Sequence, residues 1–465
     1  MSDTMRAAAP ERLPVRTKLG FGVCDLGGNL FFTALGFYAM VYMTDTVGIP
    51  AAIAGAIAMI GKLCDAAWDP FLGYLSDNTR TRWGRRRPYI FLGSIPLFLA
   101  MWFFFTNPHI KSVGLLTAWG AFAFIALNMI YSVVNIPYSS LTPELTKDYN
   151  ERTSLNGYRF VFAGVGTLLG GVAVQPILVA FGGGHGGDKS LGFSMAGLVI
   201  GLIMLITAMI TALSVREPDH AATPRHEGSI FKTYLTVYRN RPYVIVLVTY
   251  AIHLMGLAFL QSVMTYYFRY IYNREDLVMF AMATLLVVAI ICIPISVAVS
   301  KRIGKKRTYQ IFFLILGSTC LILFFLGHLL GPFFFLAVMV YAGIGVGFGY
   351  VAPYAMVPDA IEIDAVRTGK RNEGAFYGMW LLTSKVGQAV AFALFGFVLS
   401  LGHFVPNADQ APTAKLAIRL LVGPLPAVLL FAAMVLIQFY PITEKYYADA
   451  MAKAGAESKE GAGRA

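Results

Sequence analysis

Twelve long apolar blocks leave this chain few environments in which to fold other than a lipid bilayer. They run near 20–43, 51–75, 89–106, 112–140, 155–181, 191–215, 243–271, 277–299, 309–329, 332–357, 374–402 and 416–440. A bilayer-spanning helix needs about 20 predominantly apolar residues, and each block approaches or exceeds that length. Only 13% of the residues are charged, about half the ~25% usual in soluble domains. A soluble protein of 465 residues needs a polar shell that so few charges cannot make. The expected fold class is an all-α membrane protein with twelve transmembrane helices in two six-helix bundles.

Charge sets the orientation. The net charge of +12 comes from 37 Lys and Arg residues, most of them in the two tails and in alternate short loops. The opposite loops and rims carry only Lys111, Lys189, Arg269, Arg274, Lys415 and Arg419. Basic loops face the cytoplasm, so both termini are expected there, in the inner membrane of a bacterium. The same bias explains the basic charge without nucleic acid as a partner. The first 18 residues lack the apolar segment of a signal peptide. Cys24, Cys64, Cys292 and Cys320 lie inside apolar blocks without metal-ligand spacing, and read as small packing residues.

The longest polar stretch between blocks is 216–242, with six blocks on either side. The chain therefore divides into a tail (1–19), a first bundle (20–215), a central cytoplasmic loop (216–242), a second bundle (243–440) and a tail (441–465). A repeat crosses this division. G-Y-L-S-D-N-T-R-T-R-W-G-R-R-R-P (73–88) follows the second block, and S-K-R-I-G-K-K-R (300–307) follows the eighth. Each sets a glycine in a basic cluster between the second and third helices of its half. Duplicated six-helix halves mark transporters that bind their substrate near mid-membrane.

Charged residues inside the blocks are functional candidates, because each costs about 2.5–3.5 kcal/mol at mid-helix. Asp65 and Asp69, in G-K-L-C-D-A-A-W-D-P (61–70), are four apart and share a helix face. Two like charges at that spacing need a bound cation, a shared proton or a basic partner between them. Lys62 shares the face and is one such partner. Lys385, in M-W-L-L-T-S-K-V-G-Q-A (379–389), lies about 18 Å of helix beyond the preceding basic loop. That is too deep to snorkel, so it requires an acid, and the second block offers two. Asp25, close behind the basic segment 16–19, reads as a residue of the cytoplasmic rim, and Asn29, one turn deeper, as the pore-facing polar group. Tyr131, Ser132, Asn135 and Tyr138 follow helical spacing and suit sugar hydroxyls, a cation or interhelical hydrogen bonds. Arg159 lies just inside the fifth block, as a pore group or a snorkelling one. No metal role falls to His253. The chain has no H-E-x-x-H, G-x-S-x-G or Walker lysine motif, and an enzyme is not expected.

Four segments together resemble the glycoside–pentoside–hexuronide:cation symporters of the major facilitator superfamily, the group that includes melibiose permease. They are D-A-A-W-D-P-F-L-G-Y-L-S-D with R-W-G-R-R-R-P-Y (65–89), N-I-P-Y-S-S-L-T-P (135–143), V-P-D-A-I-E-I-D with T-G-K-R-N-E-G (357–374), and S-K-V-G-Q-A (384–389). The resemblance implies a coupling cation held by Asp65 and Asp69 with the hydroxyl of Ser132, and Lys385 reaching toward them. It implies Asn29, Tyr131, Asn135, Ser139, Arg159 and Trp380 around the substrate. Melibiose permease has carboxylates at the positions of Asn29 and Asn135, a stacking Trp at Ser139 and an Asn at Trp68. These differences turn the expectation away from a galactoside and toward a neutral or acidic sugar.

The expected function is cation-coupled symport of a sugar, glycoside or sugar acid by alternating access. The coupling ion is H+ or Na+, with H+ favoured, and no cofactor is expected. The partners are a small-molecule substrate and the bilayer, with the protein a monomer. The alternative is cation-coupled transport of a non-sugar amphiphile such as a lysophospholipid, because the wider family includes such symporters.

Overall fold

The computed structural model describes residues 13–146, 149–182, 189–215, 217, 237–368, 373–444 and 446–451. The tails up to 12 and from 452, most of the central loop 216–242 and residues 369–372 of the third family segment lie outside the described residues. In lipid, backbone polar groups must be satisfied within the segment, and the apolar blocks are accordingly helices. The first half holds α1 (Val15–Val41), α2 (Ala51–Asn78), α3 (Arg87–Phe104), α4 (Val113–Leu145), α5 (Tyr149–Val172), α6 (Val174–Phe181) and α7 (Ser190–Ser214). The second holds α8 (Arg241–Tyr266), α9 (Val278–Ile303), α10 (Lys305–Ile322), α11 (His328–Thr368), α12 (Glu373–Leu401), α13 (Pro412–Val422) and α14 (Pro424–Leu436).

Eleven helical stretches among the described residues are long and apolar enough to cross a membrane. One of them, Lys305–Thr368, has 64 residues. As a straight helix it would run about 96 Å at ~1.5 Å per residue, three times the ~30 Å hydrocarbon core. It turns at Gly331, whose φ of 82° and ψ of −176° are not helical. The stretch is two spans, which makes twelve. The fifth and twelfth spans are each built from two consecutive helices, α5 with α6 and α13 with α14.

Packing groups the chain into two compact units. One comprises Met1–Leu35, Trp68–Asn107 and Ala126–Thr223; the other Gly36–Ala67, Pro108–Ile125 and Pro224–Ala465. Each unit contains one copy of the repeated basic loop, and the two copies are built alike. In the first unit Gly84 takes a φ of 105° shortly before α3. Arg86 then pairs with Glu144 at 2.9 Å and donates to the carbonyl of Ser140, one turn earlier on α4. In the second unit Gly304 takes a φ of 87° just before α10. Lys305 then pairs with Asp359 at 2.6 Å and donates to the carbonyl of Ala355, one turn earlier on α11. Both acids follow a proline, Pro143 and Pro358. The duplication therefore extends into the fourth helix of each half.

The two glycines differ in their surroundings. A Cβ on Gly84 would lie 2.5 Å from the Glu217 carboxyl carbon, whereas one on Gly304 would meet nothing within 4 Å. Glu217 accepts from the backbone N–H groups of Arg85, Arg86 and Arg87 at 2.6, 2.8 and 2.6 Å. These are free donors at the start of α3, where a carboxylate is favoured. Gly304→Ala should cost about 1–3 kcal/mol through backbone strain alone. Gly84→Ala should cost more, because it also displaces Glu217. Thermal unfolding in detergent checks both; equal tolerance of alanine at the two positions would contradict this account.

Candidate functional site

The first unit encloses a cavity of about 110 Å3 whose wall carries Asp25, Asn29, Tyr131, Asn135 and Thr207, with apolar groups including Phe32 and Met204. Helical spacing explains the assembly. Asp25 and Asn29 are one turn apart on α1, and Tyr131 and Asn135 one turn apart on α4. The Asn29 Nδ2 donates to the Asp25 carbonyl at 2.8 Å. The Tyr131 ring stacks on Phe31 with centroids 4.2 Å apart and meets Phe32 edge-on. Gly28 leaves room for that tyrosine, since a Cβ there would lie 2.9 Å from its hydroxyl.

Asp25, expected at the cytoplasmic rim, is one of the residues lining this cavity. It lies ten residues into α1, and its carboxylate is engaged from two other helices. From α5, Arg159 Nε donates to Asp25 Oδ2 at 2.6 Å and Nη2 to Oδ1 at 3.3 Å. The Tyr138 hydroxyl, from α4, donates to Oδ2 at 2.5 Å. The remaining guanidinium nitrogen of Arg159 donates to Thr142 Oγ1 at 2.8 Å. The cation also faces the Tyr138 and Phe21 rings, 4.9 and 5.6 Å from their centroids. Arg159 is thus held by Asp25 on α1 and Thr142 on α4.

Of the other residues expected near substrate, Ser139 is exposed and is not among those lining this cavity. Trp380 belongs to the second unit, where it is buried. It stacks on Tyr250 at 4.0 Å and meets Tyr354 edge-on at 6.1 Å. The hydroxyls of those two tyrosines lie 3.0 Å apart and share a hydrogen bond.

The acids of α2 have the partners that burial demands. In the second unit, Lys385 Nζ on α12 lies 2.7 Å from Asp65 Oδ2, and Asp65 is only 2% exposed. Lys62, three residues earlier on α2, is also buried. In the first unit, Ser132 Oγ on α4 donates to Asp69 Oδ1 at 2.8 Å. Next to Asp69, the indole Nε1 of Trp68 is buried without a hydrogen-bond partner. Among the described residues no group of three or more His, Cys, Asp or Glu could hold a metal ion.

A further charged cluster escaped the sequence reading. The first helix of each half ends in a five-residue π turn, Tyr42–Thr46 after α1 and Tyr267–Ile271 after α8. Within the second unit these turns are joined: Arg269 pairs with the buried Asp45 at 2.8 Å. Tyr270 donates to the same carboxylate, and Thr44 donates to it at 2.8 Å. Asn407 Nδ2 donates to the Asp45 carbonyl at 2.6 Å. Nearby, α2 and α12 approach so closely that a Cβ on Gly396 would lie 2.2 Å from the Ala51 carbonyl oxygen. The available signal was positional, an acid and a base at the edges of equivalent blocks of the two halves.

Removing one partner of a buried ion pair typically costs about 3–5 kcal/mol. Lys385→Ala should therefore lower the thermal midpoint in detergent, toward the lower end of that range because Lys385 is partly exposed. Replacing both partners, Asp65→Asn with Lys385→Met, should recover most of the loss. A single variant as stable as the unaltered protein would show that the pair holds nothing in place.

A family model for MFS/sugar transport proteins matches residues 20–444. An uncharacterized symporter of Synechocystis sp. is 30% identical over a 539-position alignment that covers 97% of each chain. The isoprimeverose transporter of Lactiplantibacillus pentosus is 29% identical, over 92% of this chain and 89% of that one. A putative sulfoquinovose importer of Salmonella typhimurium is 29% identical, over 94% and 92%. A solved bacterial homolog of the human lysosomal transporter Spinster superposes with a TM-score of 0.66 at 13% identity, over 93% of this chain and 99% of that one. The nucleoside transporter NupG superposes with a TM-score of 0.60 at 12% identity, over 91% and 99%; at such identities the likeness shows the fold alone. The protein is integral to the membrane and is a transporter rather than an enzyme. The chain belongs to the MFS/sugar transport family, in its glycoside–pentoside–hexuronide symporter group.

Proposed function

We propose that this protein is a monomeric secondary symporter of the bacterial inner membrane that couples uptake of a sugar, glycoside or sugar acid to a monovalent cation. Its six-helix halves, 20–215 and 243–440, would alternate access to the substrate, with both termini cytoplasmic as the Lys and Arg bias favours. Relatives that carry isoprimeverose or are described as importing sulfoquinovose support a sugar substrate. The site reading keeps Asn29, Tyr131, Asn135 and Arg159 toward the substrate, joined by Ser139 and Trp380 on the strength of the family resemblance.

One observation carries the coupling: Asp65 is met by the Lys385 ammonium at 2.7 Å while Asp69, four residues on, is met by the Ser132 hydroxyl at 2.8 Å. An ammonium at a buried carboxylate occupies the place of an exchangeable cation. A coupling ion taken up by Asp65 and Asp69 would replace it and release α12 from α2, with Lys62 steadying the charge of the segment. One positive charge moving through 100 mV yields about 2.3 kcal/mol. At about 1.4 kcal/mol per decade, that supports roughly 50-fold accumulation of a neutral solute before any ion gradient is added.

Asp65→Asn or Asp69→Asn should abolish accumulation against a gradient while leaving substrate exchange, because the sugar groups lie on other helices. Normal accumulation by both variants would remove the two acids from the coupling site.

The proposed ion is H+. A hard metal cation needs several oxygen ligands, and the side chain beside Asp69 is the Trp68 indole, a nitrogen donor that cannot ligate a cation. A proton requires one carboxylate. Adding substrate to vesicles without Na+, at zero membrane potential, should alkalinise the medium. Strict dependence on Na+ with no proton uptake would overturn this choice and make Na+ the coupling ion.

A further inference from the structure

We infer that the second unit carries a binding site for an anionic phospholipid, with the lipid phosphate on Arg307 at the start of α10 and an acyl chain in the groove between α10 and the last span (Pro412–Phe439). The inference concerns the bilayer around the protein and does not depend on what is transported.

The internal repeat points to an anion at this place. In the first half, α3 begins shortly after Gly84, and its first N–H groups, those of Arg85, Arg86 and Arg87, all donate to Glu217, just beyond α7. The third residue after that glycine, Arg87, donates through Nε to the Ala212 carbonyl of α7 at 2.8 Å. In the second half, α10 begins just after Gly304, and its first basic residues reach other helices. Lys305 is committed to Asp359. Lys306 donates to the carbonyls of Gln438 and Tyr440, at the end of the last span. The third residue, Arg307, has no hydrogen-bond or ion-pair partner among the described residues. No described carboxylate meets the N–H groups of Lys305, Lys306 and Arg307, and the first α10 N–H with a backbone acceptor is that of Thr308, to Gly304 at 3.2 Å. A Cβ on Gly304 would meet nothing within 4 Å, whereas one on Gly84 would strike the Glu217 carboxylate. The first copy of the loop thus supplies its own anion, and the second opens beside a groove.

That groove has a volume of about 430 Å3, within the ~300–1,000 Å3 of small-molecule sites. Its polar groups lie at one end and its apolar groups at the other. Arg307 and Gln310 stand on the first turns of α10, and Gln438 stands at the end of the last span. The Lys306 contact to the Gln438 carbonyl puts these two helix ends on the same side of the unit. Ile311 and Leu314 follow Arg307 on one face of α10, and Met434 lies one turn before Gln438. Leu314 is about 10 Å of helix from Arg307 and is exposed, so the groove opens toward the acyl chains. Among the described lining residues Arg307 is the one charged group, so no acid opposes a phosphate there. A guanidinium fork matches two phosphate oxygens, and the free N–H groups of a helix start favour the same anion. Basic pockets between transmembrane helices are a recurrent place for acidic headgroups. A zwitterionic headgroup brings its own cation, which would meet Arg307 as a like charge.

Native mass spectrometry of the purified full chain in detergent tests the site, with phosphatidylglycerol and phosphatidylcholine of identical acyl chains in competition. The ratio is read within one sample and is independent of how much protein has folded. The unaltered protein should retain phosphatidylglycerol at least about tenfold more tightly, the scale of one charge-assisted contact. Arg307→Gln should remove most of that preference. Arg302→Gln, which deletes an exposed charge of the same loop outside the groove, should keep it. Phosphatidylglycerol should also raise the thermal midpoint of the unaltered protein and leave that of Arg307→Gln unchanged. Excess glycerophosphoglycerol, the headgroup without chains, should not displace the lipid; full displacement would make this a site for free phosphate esters and overturn the lipid assignment. Equal retention of the two lipids by the unaltered protein overturns the inference without any variant. Equal loss of preference in the two arginine variants overturns it as well, because the attraction would then belong to the loop and not to the groove.

Discussion

An ionised side chain inside a bilayer must find an opposite charge, and in this protein that requirement chooses which helices meet. Three acids illustrate it. Asp25 ties α1 to α5 through Arg159, Asp65 ties α2 to α12 through Lys385, and Asp45 ties the end of α1 to the end of α8 through Arg269. Lipid offers no hydrophobic drive for helix association, because its tails are as apolar as the helix surfaces. Close packing at small residues supplies some of the attraction. The ion pairs supply direction and register, since an unpartnered charge at these depths is expensive.

Much of this architecture was legible in the residues. Apolar length marks each span, because nothing but a helix satisfies its own backbone in lipid. The basic loops around Gly84 and Gly304 announced a duplication, and the structure carries it further, to Glu144 and Asp359 and to the carbonyls one turn before them. Lys385 was legible for a related reason: a lysine far inside an apolar block needs an acid, and the acids of α2 were the ones in view. The union of Asp65 with Lys385 follows from that.

Other parts were hidden because they depend on distances between helices, which composition does not encode. Asp25 is near a basic segment in sequence, so the rim was the natural reading; only the approach of α5 brings Arg159 to it. Tyr138 looked like one polar group among several on α4, and its role appears only with Asp25 at its hydroxyl. Asp45 and Arg269 lie at the edges of apolar blocks, where charges normally face water, yet the two π turns fold them onto each other. Ser139 and Trp380 came from family resemblance. The first is exposed and the second lies in an aromatic cluster with Tyr250 and Tyr354.

Ion pairs that join helices can also be exchanged, and the central claim is that transport exploits this at Asp65 and Asp69. The most direct measurement is accumulation by purified protein in proteoliposomes under an imposed inward proton gradient with the interior negative. The account predicts that a carried sugar rises well above its outside concentration and falls back to it when an ionophore collapses the gradient. A protein that brings the sugar only to equal concentrations inside and out, at the same rate with or without any ion gradient, would contradict it.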